Sequence, residues 1–251
     1  TSPNCRRAPP AGDMTQPVER PIRVAVWSTG GIGSISIVAI ARRPGLELAG
    51  VWVHSDAKVG RDAGEIANGR AIGLTATNDA DALLALQPDC VVYAASGPAR
   101  DAAAVPDYAR MLRAGINVVT TTSSRMIYPP AFDAAQRTQL EAAAEAGGAS
   151  IYASGIEPGF ACDHLALVLA TQSSAIRTIR ASEISLYDDY PVADVMMDGM
   201  GFGRALDGIM RAFDVTLDPG ERTRQVDGAR TALGHLVGGG SVCTVSIFEA
   251  G

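Results

Sequence analysis

Lysine is nearly absent from this chain of 251 residues: Lys58 is the only one, and the other side chains counted with it are arginines. No second lysine can therefore act as a Schiff-base nucleophile or a proton donor. The four cysteines, at positions 5, 90, 162 and 243, show neither metal-ligand spacing nor a secreted disulfide framework, which predicts reduced thiols in the cytoplasm. The three histidines are far apart, so no metal site is predicted.

Long apolar runs and basic clusters are lacking too. No run reaches the length of a transmembrane helix, so no membrane contact is predicted. Acidic side chains outnumber lysine and arginine by 27 to 21, and the net charge of −6 argues against a nucleic-acid partner. A hydrophobic content of 47% predicts a folded chain with room for one large domain or two small ones.

A glycine-rich turn lies between an apolar run at 24–27 and a helical pattern that ends at Pro44. Strand, glycine turn and helix in this order aim backbone N–H groups at the pyrophosphate of a dinucleotide. Ser28 stands where the G-x-G-x-x-G pattern has its first glycine, and an ordinary tight turn is the alternative interpretation. The predicted cofactor-binding residues of the turn are Ser28, Thr29, Gly30, Gly31, Ile32 and Gly33.

Strand and helix patterns alternate from residue 21 to residue 158, after a proline-containing leader (1–20) that is predicted to be flexible. This alternation predicts an α/β fold, a Rossmann-type doubly wound parallel sheet that forms a dinucleotide-binding domain. Among its helices, one is predicted at 106–114 with Pro106 in the first turn.

The pattern changes over residues 159–251. A helix at 162–170 precedes an alternating stretch at 176–187, a glycine-rich segment and a strand-like run at 242–248. We expect a shortened α+β domain that contributes to the substrate site. An unpaired sheet edge at 242–248 would favour a homo-oligomer.

The exit of the second strand selects between the two nicotinamide cofactors. An acidic residue there binds the ribose 2′-OH of NAD, whereas cations suit the 2′-phosphate of NADP. Ser55 and Lys58 can receive a phosphate, and Asp56 would repel it unless its side chain points away. NADP is therefore predicted, with NAD and a merely solvated loop as alternatives. By position, the further cofactor contacts are His54, Ser96, Gly97, Thr120, Thr121 and Thr122, all at strand ends.

Several segments resemble known dehydrogenases. Residues 59–66 are similar to the segment after the second strand of dihydrodipicolinate reductases. Segments 27–33, 117–119, 128–129, 155–160 and 200–204 resemble the related group that contains 2,4-diaminopentanoate dehydrogenase and the native NAD(P)H-dependent amine dehydrogenases. The resemblance extends over about residues 21–205, and members of the group are usually longer.

This resemblance implies hydride transfer to or from a C=N, C–NH₂ or related carbonyl group of a small molecule. The glutamate that the amine dehydrogenases carry is missing from 120–125, so Glu157 is the predicted catalytic carboxylate. The expected substrate contacts are Ser123, Ser124, Phe160 and Asp163, although Asp163 also suits a helix cap. A non-catalytic NAD(P)-binding sensor, or a degenerate paralogue, is the alternative function.

Overall fold

Five parallel strands form the central sheet in a computed structural model that describes residues 20–95, 100–185 and 241–249. The strands are β1 (Ile22–Trp27), β2 (Leu46–Trp52), β3 (Cys90–Tyr93), β4 (Asn117–Thr120) and β5 (Ile151–Ala153). Their order is β2-β1-β3-β4-β5, so the chain moves outward from β1 to one side and then to the other. The change of direction between β1 and β3 creates the crevice in which such sheets bind ligands.

Helices cover both faces of this sheet. They are α1 (Gly31–Arg42), α2 (Ala63–Asn68), α3 (Ala80–Ala85), α4 (Arg100–Arg113) and α5 (Ala134–Gly147), whereas α6 (Leu165–Ala170) packs against the segment Ile156–His164 that precedes it. Alternate residues of β1 face opposite layers, because successive side chains of a strand point to opposite faces. Val24 and Val26 pack with Ile37 of α1, whereas Ala25 and Trp27 join the cluster formed by α3, α4 and α5. The predicted Rossmann-type sheet is thereby confirmed.

Two predicted helix starts were wrong. Helix α4 begins at Arg100, so Pro106 lies inside the helix and not in its first turn. Proline within a helix costs about 3 kcal/mol, and burial of Ala104 and Val105 just before it offsets that cost. The α-helix expected from residue 162 begins at Leu165, because Ile156–His164 forms a π-helix.

A second, antiparallel sheet pairs β6 (Ile176–Ser185) with β7 (Ser241–Glu249). The expected strand at 242–248 is confirmed, and the last two residues of the stretch expected at 176–187 lie outside the described residues. So does nearly all of the predicted leader. The division into two domains at residue 158 and the expected oligomer stay predictions. None of the helices in the described part is long and apolar enough to cross a membrane.

Asp89 ties the amino ends of three strands together. Its carboxylate accepts two hydrogen bonds of 2.7 Å from the Arg20 guanidinium and one of 2.8 Å from the Arg23 N–H. Its carbonyl oxygen accepts the N–H of Asn117 at the start of β4. The bonds from Arg20 and Arg23 hold the pKa of the Asp89 carboxyl well below its usual range.

We expect Asp89→Asn to lower the free energy of unfolding by about 1–2 kcal/mol at pH 7. Because the pKa is lower in the folded state, this stabilisation is present above the unfolded pKa of about 4 and is lost as the pH falls below it. Urea unfolding at several pH values measures the effect. The matched control is Glu47→Gln, at the exposed Glu47–Arg23 pair with its 3.5 Å separation. An equal loss of unfolding free energy in both variants would contradict the stabilising role of the Asp89 carboxylate.

Candidate dinucleotide site

The glycine turn brings the N-terminus of α1 to the carboxyl edge of the sheet. Gly30 is the N-cap residue and no side chain caps the helix, so the first N–H groups of α1 have no side-chain acceptor. A Cβ at Gly30 or Gly31 would meet nothing within 4 Å, whereas a Cβ at Gly33 would lie 2.0 Å from the carbonyl oxygen of Ser28. Gly30 and Gly31 therefore leave open space above the turn, and Gly33 permits the close approach of helix and turn.

Ser28 adopts a backbone conformation that normally requires glycine. Its φ is +91°, which costs a residue with a Cβ about 1–2 kcal/mol. The N–H of Ser28 donates a hydrogen bond of 2.9 Å to the carbonyl oxygen of Trp52, and this bond holds the turn against the end of β2. The turn thus has the shape of the glycine pattern although serine replaces its first glycine.

Lys58 lies against the glycine turn. Its Nζ donates to Thr29 Oγ1 at 3.0 Å and is 3.3 Å from the Thr29 carbonyl oxygen. The sequence predicted Lys58 as a phosphate ligand but did not predict this contact, which spans 29 residues. The only ammonium side chain of the protein is therefore held where a phosphate of a bound dinucleotide is expected.

The acidic residue beside Lys58 is engaged elsewhere. Asn78 Nδ2 donates to Asp56 Oδ1 at 2.9 Å, which draws the carboxylate to the loop after Thr77. His54 and Ser55 are both exposed on the same segment. A specific hydrogen bond therefore engages the Asp56 carboxylate, and its orientation relative to a bound phosphate stays a prediction.

Asp62 organises the loop that follows Lys58, a role that the sequence analysis missed. Its carboxylate accepts backbone N–H groups from Gly64, Glu65, Ile72 and Gly73 at 2.7–3.2 Å. Desolvation raises the pKa of Asp62, but these backbone hydrogen bonds outweigh it and lower the pKa. The spacing from Asp62 to Glu65 is a helix-cap signal that would have found it.

Three aromatic rings, which the sequence analysis did not predict as part of a site, stand in a row at the ends of adjacent strands. Trp27 stacks on Trp52 with ring centroids 4.4 Å apart and on Tyr93 at 5.7 Å. They border a cavity of about 130 Å³, which has room for several waters. Its lining residues are Trp27, Ser28, Trp52, His54, Tyr93, Ala95, Ala103 and Asp107.

The segment after β4 turns part of its polar groups inward. Thr120 and Ser123 are 0% and 1% exposed, and both hydroxyls contact the Tyr108 hydroxyl, at 2.8 and 3.3 Å. Thr122 Oγ1 donates to the carbonyl oxygen of Ala95 at 2.6 Å. These bonds make Thr120 and Ser123 part of the core in this structure, so their predicted contacts with cofactor and substrate receive no support from it. Thr121 and Ser124 are exposed.

The π-helix after β5 contains the remaining residues that were predicted to contact the substrate or to act in catalysis. Asp163 Oδ2 accepts the N–H of Gly159 at 2.7 Å, four residues before it and inside the π-helix. Because the N-cap residue of α6 is His164 and no side chain caps that helix, the expected capping role of Asp163 was wrong. Phe160 is 61% exposed. The side chain of Glu157 lies outside the described part of the structure, as do Ser96 and Gly97. No group of His, Cys, Asp and Glu in the described residues could hold a metal ion.

Comparison with known proteins shows which proteins this chain is similar to. No family model matches the chain. A curated amine dehydrogenase from Streptomyces virginiae is 40% identical over 192 residues, which are 74% of this chain and 52% of that protein. The chain therefore spans about half the length of this relative.

Two solved structures show that the similarity extends to the fold. An amine dehydrogenase from Mycobacterium smegmatis has a TM-score of 0.62 and 25% identity, over 85% of this chain and 62% of that one. A structure from Magnetospirillum magnetotacticum MS-1 shares the fold alone, with a TM-score of 0.50 and 21% identity over 70% of this chain and 52% of that one. The resemblance seen in the sequence is thus confirmed: this chain is a relative of the amine dehydrogenases.

Proposed function

We propose that this protein is an NAD(P)-dependent oxidoreductase that acts on a C=N or C–NH₂ group of a small molecule. The observation that carries the proposal is the contact of Lys58 with Thr29 on an uncapped glycine turn. An ammonium group and the N–H groups of a helix N-terminus together suit the phosphates of a dinucleotide. The relationship to amine dehydrogenases supplies the substrate class.

The residues present fit a phosphorylated cofactor. Gly30 and Gly31 leave room for the pyrophosphate, and Lys58 with Ser55 would receive the 2′-phosphate of NADP. Asp56, held by Asn78, does not oppose that charge directly. When bound, the nicotinamide supplies the hydride chemistry, so the protein must orient the reactants and stabilise charge.

Stabilisation of an iminium charge needs a carboxylate near the reacting carbon. Ser124 is an exposed position in the segment where amine dehydrogenases carry their glutamate, and its side chain carries no charge. Glu157, in the π-helix that follows the last parallel strand, is the proposed replacement. If Glu157 does not act as the catalytic carboxylate, the protein binds the dinucleotide without turnover, as a sensor would.

Gly30→Asp tests the phosphate site. The substituent enters open space, since a Cβ at Gly30 has no neighbour within 4 Å, so the fold is expected to survive. We expect NADPH affinity to fall at least about tenfold, because a carboxylate would face the phosphates. Fluorescence titration measures it, with Gly30→Ala as the uncharged control. Unchanged affinity in folded Gly30→Asp would refute the assignment.

Lys58→Ala tests the choice of cofactor. We expect the unmutated protein to bind NADPH more tightly than NADH, and the variant to lose most of this difference. The salt dependence of NADPH binding should weaken in parallel, because screening acts on the lost cation–phosphate contact. Arg61→Ala, which removes an exposed cation from the same loop, is the matched control. A preference of the unmutated protein for NADH would overturn the assignment.

Ser124→Glu and Ser123→Glu are a matched pair of variants that test whether a carboxylate in this segment supports catalysis. The Ser124 substitution places a carboxylate on the exposed segment and should raise reductive amination of a ketone panel. The Ser123 substitution would bury a charge beside Tyr108, which costs several kcal/mol, so we expect a destabilised and inactive protein. Glu157→Gln should abolish any basal turnover and leave NADPH binding unchanged. Activity that survives Glu157→Gln would place the catalytic group elsewhere.

A further inference from the structure

We propose that Thr29 is a positioning residue for Lys58. Its buried hydroxyl holds the Lys58 ammonium at the glycine turn before any dinucleotide binds, and this sets the preference for a phosphorylated dinucleotide. The inference rests on the proposed function, because a cofactor phosphate is the ligand that the held charge would bind. It gives the Thr29 side chain a task that differs from the backbone contacts expected of a glycine turn.

The backbone at Lys58 is fixed without any help from Thr29. Lys58 is the last residue of a short 3₁₀-helix, Asp56–Lys58. Directly after it, the N–H of Gly60 donates to the carbonyl oxygen of Ala76, and the N–H of Ala76 donates to that of Arg61, both at 2.9 Å. These bonds hold the loop in place, so only the direction of the long lysine side chain is left to be decided.

Thr29 decides that direction. It is only 8% exposed and directly precedes Gly30, the N-cap residue of α1. Its Oγ1 accepts a 3.0 Å hydrogen bond from Lys58 Nζ, and its carbonyl oxygen is 3.3 Å from the same nitrogen. Within the described ranges no carboxylate forms an ion pair with Lys58. Neutral oxygens therefore orient the ammonium and leave its charge uncompensated.

The held ammonium can still bind a ligand. It has three N–H groups, and the two oxygens of Thr29 engage at most two of them. A phosphate oxygen can therefore bind the ammonium without displacing Thr29. A lysine side chain loses much conformational entropy when a ligand fixes it, and earlier fixing by Thr29 removes that cost from binding.

The first test needs no cofactor. Because Lys58 is the only lysine, acetylation by an N-hydroxysuccinimide ester, read by peptide mass spectrometry, reports on this side chain alone. Thr29→Val keeps the shape but removes the hydroxyl, so Lys58 should be acetylated at least about threefold faster than in the unmutated protein. Thr29→Ser retains the hydroxyl and should react at the unmutated rate. Equal rates in folded Thr29→Val and the unmutated protein would overturn the positioning role.

The second test measures the consequence for the cofactor. We expect Thr29→Val to bind NADPH at least about threefold more weakly, with a smaller preference over NADH, and Thr29→Ser to restore both. Ser34→Ala is the matched control, since Ser34 Oγ donates to the Thr29 carbonyl oxygen at 3.4 Å. That variant removes a hydroxyl from the same turn, and both measurements should stay unchanged. Full NADPH affinity and preference in folded Thr29→Val would overturn the inference.

A double-mutant cycle shows whether Thr29 acts through Lys58. In the Lys58→Ala background, Thr29→Val should weaken NADPH binding by less than about twofold, because the group that it positions is gone. The full loss in both backgrounds would mean that Thr29 contacts the ligand itself, which overturns the positioning role. If Thr29→Val does not fold, Thr29→Ala replaces it with the same expected results.

The two tests also separate this inference from the proposed function. No NADPH binding by the unmutated protein would refute the proposed function and the cofactor preference inferred here. The acetylation rates of Lys58 would still decide whether Thr29 holds the ammonium at the turn. NADPH binding with no effect of the Thr29 variants would leave the proposed function standing and overturn the inference.

Discussion

The close approach of α1 to the glycine turn is the constraint on which the candidate site depends. A side chain at Gly33 would lie 2.0 Å from the Ser28 carbonyl oxygen, so the helix reaches this position only because that side chain is missing. The approach aims the N-terminus of α1 along the carboxyl edge of the sheet. It also holds Ser28 at a positive φ, which is tolerated because the N–H of Ser28 bonds to β2.

The loop after β2 completes the charge pattern of the turn. Lys58 reaches back to Thr29, Asp56 is drawn to Asn78, and the Asp62 carboxylate collects the backbone N–H groups of the following segment. Each contact is modest by itself, since polar contacts near solvent are partly screened. Together they leave one positive charge at the turn, while the Asp56 carboxylate is engaged by Asn78, an arrangement suited to an anionic ligand.

The structure separates side chains that look equivalent in the sequence. Thr120 and Ser123 belong to the same polar stretch as Thr121 and Ser124, yet the first two bond to Tyr108 in the core and the other two are exposed. In such a stretch the direction of each side chain depends on the turn that follows the strand. Hydroxyl groups fit both environments, because a single partner such as Tyr108 satisfies them when buried.

The sequence by itself determined the parallel sheet, the glycine turn and the relationship to amine dehydrogenases, because these rest on local patterns of burial, turn chemistry and motif. The sequence did not determine where α4 begins. Local rules place Pro106 at a helix start, but α4 begins six residues earlier, at Arg100, and buries Ala104 and Val105. Only the tertiary structure brought Lys58 to Thr29 and aligned Trp52, Trp27 and Tyr93 along one edge. Such contacts join residues far apart in the chain, and strand register and loop closure decide them, which no local pattern encodes.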